Sequence, residues 1–307
     1  MRVLRPDADM VRLLIRELRA PFLTASLVPG SLGIALAYWH TGTVDITLAW
    51  VTLLGILAVH AGANTANDNF DHRSGNEAAN TRFVHPFTGG SRLIQEGQLA
   101  PAEVFALSMA CFLAGIACTS YLVWRIGWGL LLPAAVGILG GYAYTAPPLK
   151  LGYRGWGEPT IALLFGILPV TGAYYVQTRI LDTSVILASL PLSLLVTAIL
   201  FVNQFPDYVA DKAVGKRNWV VRLGPRTARI PYAVLMLGWA PLLAWGVIRN
   251  AIPASSLTAL VSLAPSALAL GIVWRYYEKE SRLAPASVLT IISHSLTGLI
   301  LTLCLFL

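Results

Sequence analysis

Charge is what this 307-residue chain has least of: 12% of its residues are Asp, Glu, Lys or Arg, against about a quarter in soluble domains. With 56% hydrophobic residues and a mean hydropathy of +0.66, it can build neither a water-facing globular surface nor a charged disordered chain. Cysteine is scarce too. Cys111, Cys118 and Cys304 each fall inside an apolar run without metal-ligand spacing, so they read as small core residues, and redox or thiolate-metal chemistry gets no support. The ten-residue alternation of a transmembrane barrel is missing. So is a small-residue cleavage site near the start: residues 1–20 read as a basic amphipathic lead-in lying on the membrane surface, followed by Pro21, and not as a signal peptide.

What is present is a series of apolar segments of helical length, about 20 residues each. They predict an all-α polytopic membrane protein, one domain over 1–307, with nine spans near 21–39, 47–66, 101–123, 128–146, 159–176, 184–205, 230–247, 255–274 and 285–306. With the N-terminus inside, every lysine and arginine falls on one side except Arg125, Arg179 and Arg249. The net charge of +7 is then positive-inside charge and gives no reason to expect nucleic acid. The same bias puts the polar motifs on the cytoplasmic face of a cell (inner) membrane.

Two such motifs interrupt the apolar pattern. NTANDNFDHRSGNE (64–77) ends the second span, and NQFPDYVADKAVGK (203–216) ends the sixth. On a helix, Asn64, Asp68 and Asp71 stand at i, i+4 and i+7, and Asn203, Asp207 and Asp211 at i, i+4 and i+8, so each set projects from one face. A charge near the bilayer centre costs about 2.5–3.5 kcal/mol on insertion scales, so four carboxylates at two helix ends point to use. Carboxylates and amide oxygens at one-turn spacing are hard ligands suited to Mg²⁺, which binds through one or two carboxylates plus substrate phosphate oxygens. Asp68, Asp71, Asp207 and Asp211 are therefore the expected catalytic, metal-binding residues, with Asn64 and Asn203 in support and a diphosphate held through the metal. Simple salt bridges at a solvated interface are the bland alternative for one motif, and a poor one for two at equivalent helix ends.

Positive charge for the diphosphate is expected from Arg82 and Arg92 in the long 69–100 loop, where Thr88-Gly89-Gly90-Ser91 also offers backbone amides, and from Lys150, Lys212 and Lys216. Tyr142 is assigned to substrate binding, although interfacial tyrosines also form membrane belts. Pro206 either bends the sixth span to aim Asp207 and Asp211 into a cavity or simply ends it. His294, mid-span between Ser293 and Ser295, reads as a hydrogen-bonded packing residue. The motif positions suggest that spans one to four and five to eight are two copies of one unit, with the ninth appended.

A metal-bound diphosphate leaving an allylic carbon would produce a cation that an electron-rich ring captures, with apolar helices excluding water and housing a polyprenyl tail. At these residues the chain resembles the UbiA superfamily of intramembrane prenyltransferases over nearly its whole length. It looks most like the 1,4-dihydroxy-2-naphthoate prenyltransferases, through NTANDNFDHRSGNE, TGGSRLIQEG, GEPTIALLFGILPVTGAYYVQT and DKAVGKRNWVVRLG. The resemblance implies nine transmembrane helices around a central cavity, Mg²⁺ on the Asp motifs and a lateral opening for the prenyl chain. It also implies transfer from polyprenyl diphosphate to the aromatic acceptor with loss of its carboxylate, giving demethylmenaquinone. His72, Glu77 and the NQFPD form of the second motif depart from the family pattern. Two alternatives stay open: the same chemistry on 4-hydroxybenzoate, homogentisate, a chlorin or haem ring or a glyceryl phosphate, and a cation-coupled transporter. Motif positions at helix ends, away from mid-membrane, weigh against the transporter.

Overall fold

The computed structural model describes residues 7–307, with side chains from residue 10; Arg2 and Arg5 of the lead-in lie outside the described residues. Thirteen α-helices follow one another: α1 (Asp7–Glu17), α2 (Thr24–Thr41), α3 (Ile46–Ser74), α4 (Asn76–Ala79), α5 (Pro101–Ile126), α6 (Leu131–Ala143), α7 (Gly157–Ile161), α8 (Leu168–Thr178), α9 (Thr183–Ala213), α10 (Trp219–Leu223), α11 (Pro225–Ile248), α12 (Leu263–Tyr276) and α13 (Ala284–Cys304). No strand occurs among the described residues.

Among the described residues eight rods are long and apolar enough to cross a bilayer, one each on α2, α3, α5, α9, α11, α12 and α13, and one running from α7 through α8. The expected fourth span is shorter than its neighbours, a 16-residue apolar helix over Trp128–Ala143. Nine expected crossings thus become eight of full length and one short helix. Gly127, at φ 100°, breaks it from α5, and the Pro147-Pro148 pair bars its extension.

The most buried rod is α9, and the core forms around it. Its Leu192, Leu195, Phe201 and Phe205 meet Tyr232, Met236 and Trp239 of α11 and Leu32 and Leu36 of α2. Since lipid tails are as apolar as leucine, close backbone approach and polar contacts must hold such helices together. The Tyr232 and Thr290 hydroxyls lie 2.8 Å apart, and Ser266 donates to Ser293 at 3.1 Å. Gly33 lets α2 close on α8 so tightly that a methyl group there would overlap the Val170 carbonyl. Between α7 and α8 the backbone widens into a π turn over Ala162–Ile167, where the Ser193 hydroxyl of α9 donates to the Ala162 carbonyl at 2.8 Å.

The two motif helices are the longest in the chain. At 29 and 31 residues, α3 and α9 reach about 43 and 46 Å, well beyond a hydrocarbon layer of about 30 Å. Asp45 caps α3 by accepting the Leu48 N–H at 3.0 Å, and Asp182 caps α9 by accepting the Ser184 N–H at 2.8 Å. The surplus turns of both helices lie at the same end of the bundle and carry the Asp residues. Pro206 does not end α9, which runs through it to Ala213. At the opposite end Arg125 pairs with Asp45 at 3.8 Å, and Arg179 donates to the Arg125 carbonyl.

Gly33→Leu, which drives a side chain into the α2–α8 contact, is expected to cost about 1–3 kcal/mol, lowering the thermal midpoint of the purified protein by several degrees. Gly271→Ala, whose added methyl meets nothing within 4 Å, is expected to leave it within about a degree. Thermal unfolding in one detergent checks both.

Candidate active site

The overrunning ends of α3 and α9 face each other across a polar chamber of about 210 Å³. Asn64 and Asp71 of α3 and Asn203, Asp207 and Asp211 of α9 are on its wall, as their spacing predicts. Lys216 spans the gap: its ammonium lies 3.3 Å from Asp71 and 3.5 Å from Asp211. Burial alone would lower its pKa, but Asp211 and Asp71 outweigh that and hold it above the ordinary lysine value.

Amide side chains hold the carboxylates in place. Asn67 donates to Asp71 at 3.2 Å, Asn80 to Asp207 at 2.6 Å, and Asn76 and Asn218 to the two oxygens of Asp211 at 3.0 and 2.6 Å. The Tyr153 hydroxyl completes Asp71 at 2.6 Å. None of these five donors is among the site residues expected from the sequence. Asn76 begins α4 and Asn80 caps its end, so their i, i+4 spacing directly after Gly75 was a readable sign. Asn218, before Trp219-Val220-Val221, has the position of a helix cap and serves as one, its oxygen accepting the Val221 N–H at 2.9 Å.

Asp68 departs from expectation. It is 1% exposed and stands off the chamber wall, accepting the Ser91 N–H at 2.8 Å and lying 3.8 Å from the Arg19 guanidinium. Arg19, with a left-handed backbone just before α2, does line the chamber, braced by Asp68, the Phe87 carbonyl and the Phe22 ring. The Thr88-Gly89-Gly90 run lines it as well, but the Ser91 amide is committed to Asp68 and is not offered to an anion. Gly90, at φ 69°, passes so close to Glu77 that a methyl there would overlap the carboxyl group.

The other expected contacts lie elsewhere. Arg82 is exposed and pairs with Glu280 at 3.5 Å. Arg92 donates to the Glu77 carbonyl at 2.6 Å and covers Phe83, fixing the segment behind the wall. Lys150 and Lys212 sit over Tyr153 and Tyr208. Tyr142 packs edge-on against Phe70 and Phe112, and it is Tyr144 that reaches the chamber. In each case an aromatic ring, a carboxylate or a backbone carbonyl takes the group that was expected inside the chamber.

Among the described residues no three His, Cys, Asp or Glu side chains converge into a ready metal cage. The chamber is nevertheless rich in hard oxygen donors and poor in cations, and the buried side-chain oxygen of Asn76 on its wall has no hydrogen-bond partner. Such a donor set fits a Mg²⁺ ion bound by one or two carboxylates and completed by a substrate's phosphate oxygens.

A second, apolar chamber of about 120 Å³ lies between α3, α5, α6 and α8, and the two share wall residues His60, Ala63, Gly141, Leu164 and Phe165. A polar pocket for a charged group thus adjoins an apolar one for hydrocarbon.

Glu77, 4% exposed, has its pKa pushed up to about 9 by burial first and then by Asp68 and Asp71. The native state therefore keeps a proton that the unfolded chain releases near pH 4.5. This contribution to stability is full below pH 4.5 and is lost as pH rises toward 9. In metal-free buffer the thermal midpoint is expected to fall over that range, and Glu77→Gln, neutral throughout, to flatten the fall. A slope unchanged by the substitution would remove Glu77 as its cause.

Comparison with known proteins agrees with this geometry. Residues 26–296 match the UbiA prenyltransferase family. A 2-carboxy-1,4-naphthoquinone phytyltransferase from Synechocystis is 27% identical over 94% of this chain and 92% of its own. A 1,4-dihydroxy-2-naphthoate octaprenyltransferase from Haemophilus influenzae is 32% identical over 70% of each. Among solved structures, a UbiA homolog from Archaeoglobus fulgidus bound to DMAPP and Mg²⁺ superposes with a TM-score of 0.67 at 17% identity, covering 94% of this chain and 98% of that one, which speaks to the fold. With eight rods among its described residues long and apolar enough to cross a bilayer and a family match over most of its length, the chain is a multi-pass membrane protein that belongs to the UbiA prenyltransferase family.

Proposed function

We propose that this protein is a Mg²⁺-dependent prenyltransferase that moves a polyprenyl group from its diphosphate to 1,4-dihydroxy-2-naphthoate, at the cytoplasmic face of the cell membrane. The observation that carries the reading is the junction of the two chambers, since a prenyl diphosphate has one charged end and one hydrocarbon end. Naphthoate-specific names among relatives such as the Haemophilus protein support the acceptor, and the Mg²⁺ and DMAPP bound to the Archaeoglobus homolog support the metal and the donor class. The lysine and arginine bias of the sequence supports the cytoplasmic orientation.

Asp71, Asp207 and Asp211 would hold the metal, with Asn64 and Asn203 beside them. Bound there, the ion would neutralise the diphosphate and make it a better leaving group. Arg19 and Lys216, both on the chamber wall, take diphosphate oxygens, and Asp68 keeps Arg19 aimed. The apolar chamber receives the chain and keeps water from the allylic carbon as its bond to oxygen breaks.

Purified protein with Mg²⁺ and a labelled polyprenyl diphosphate is expected to prenylate dihydroxynaphthoate, and EDTA to stop it. Asp71→Ala and Asp207→Ala, if still folded, are expected to lose about 100-fold or more. Transfer only to another acceptor would overturn the naphthoate assignment. Folded protein that transfers to no acceptor in the panel named above would overturn the function.

A further inference from the structure

Of the five residues common to both chambers, four are hydrocarbon or glycine, and His60 is the polar one. It is firmly held. His60 is 6% exposed, its Nδ1 lies 2.6 Å from the Ser26 hydroxyl of α2, and the Phe165 ring meets it edge-on at 4.6 Å. Ser26 is 2% exposed and belongs to the wall of the apolar chamber. With Ser26 at Nδ1, Nε2 is the ring nitrogen on the side away from α2, and the Asn64 side chain also reaches the imidazole. One turn along the same face of α3, the buried Nδ2 of Asn64 has no hydrogen-bond partner. An imidazole nitrogen and an amide donor one turn apart suit a group that both gives and accepts a hydrogen bond, which is what a hydroxyl does.

The prenyl donor has no such group at this depth. Its diphosphate belongs with Arg19 and Lys216, and the rest of it is hydrocarbon. The carbon at which the bond to oxygen breaks lies where one gives way to the other, so the ring that captures it must lie at the junction. We infer that His60, fixed by Ser26, hydrogen-bonds a ring hydroxyl of the aromatic acceptor and so presents the ring carbon that is prenylated. This rests on the function proposed above. A ring without that hydroxyl leaves the buried Nδ2 of Asn64 unpaired, so the pair also selects for hydroxylated acceptors.

The test is steady-state kinetics with dihydroxynaphthoate and its two mono-methyl ethers. On the wild type, one ether is expected to bind about tenfold more weakly than the parent. His60→Leu is expected to raise the acceptor KM about tenfold while leaving the KM for prenyl diphosphate within about twofold. Ser26→Ala should move in the same direction by less, and His60→Gln should recover part of the loss. With the ether of the hydroxyl that His60 holds, the penalty of His60→Leu should nearly vanish. Equal penalties on hydroxyl and ether acceptors, a rise in both KM values, or wild-type protein indifferent to both ethers would show that the pair only fills a polar gap in the wall, and would overturn the inference. The ether comparison needs no variant, so it decides the matter even if His60→Leu fails to fold. Wild-type protein that prenylates nothing would instead sink the function, and the inference with it.

Discussion

The contact on which the rest of the structure depends is Lys216 between Asp71 and Asp211, 3.3 and 3.5 Å from each. Two carboxylates brought together at the end of a bundle repel each other and lose water, and each cost grows as the surroundings become less polar. A buried ammonium between them offsets both. It lies on the segment after α9, so it ties the two longest helices at the end where each projects beyond the hydrocarbon. The lengths of α3 and α9, the left-handed turn at Gly75 and the amide-bearing α4 all serve to bring those ends into register.

The two chambers follow from how the helices pack. Above the carboxylates the same face of α3 continues through Ala63 and His60 into apolar wall, and the π turn opposite it brings Leu164 and Phe165 to both sides of the boundary. A regular helix there would rotate the residues beyond it and move that boundary. The donor of the proposed reaction needs such an abrupt change of polarity, because its charge and its hydrocarbon are separated by a single carbon–oxygen bond.

Much of the fold was legible because hydrophobic length is a local property. The spans read near 47–66 and 184–205 became α3 and α9, although the structure carries both helices on for two further turns. The fourth span, read over 128–146, ends three residues sooner in the structure, because Tyr144 to Ala146 look able to extend a span while the bar to extension comes from Pro147-Pro148 beyond them. In the site, helical spacing grouped Asn64 with Asp71 and Asn203 with Asp207 and Asp211, and the structure has all five on the wall of one chamber. Spacing could not choose between Asn67 and Asp68, which flank the same face at about 100° per residue. The neighbours decided it: Arg19 and the Ser91 amide draw Asp68 to one side, and Asn67 turns to Asp71. Asn80 and Asp207 meet across 127 positions of chain, a separation over which no local pattern reports.

The choice of asparagine around the carboxylates bears on what the site can bind. An amide orients a carboxylate through one hydrogen bond and leaves its charge in place, whereas a lysine or arginine at the same distance cancels that charge. Asn67, Asn76, Asn80 and Asn218 all donate to Asp71, Asp207 or Asp211, and only Lys216 pairs with any of the three as an ion within the described residues. Asp207 makes no ion pair within 4 Å there: the Asn80 amide donates to it, the Thr88 hydroxyl reaches it, and Lys216 acts on it only from farther off. Had the aim been stability alone, a basic side chain would serve better, since a buried charge without a counter-ion is expensive. The arrangement instead keeps negative charge fixed in position and open to a cation from outside the chain. Arg19 and Lys216 then remain for the oxygens that such a cation would bring with it, which is the division of charge that a metal-bound diphosphate requires.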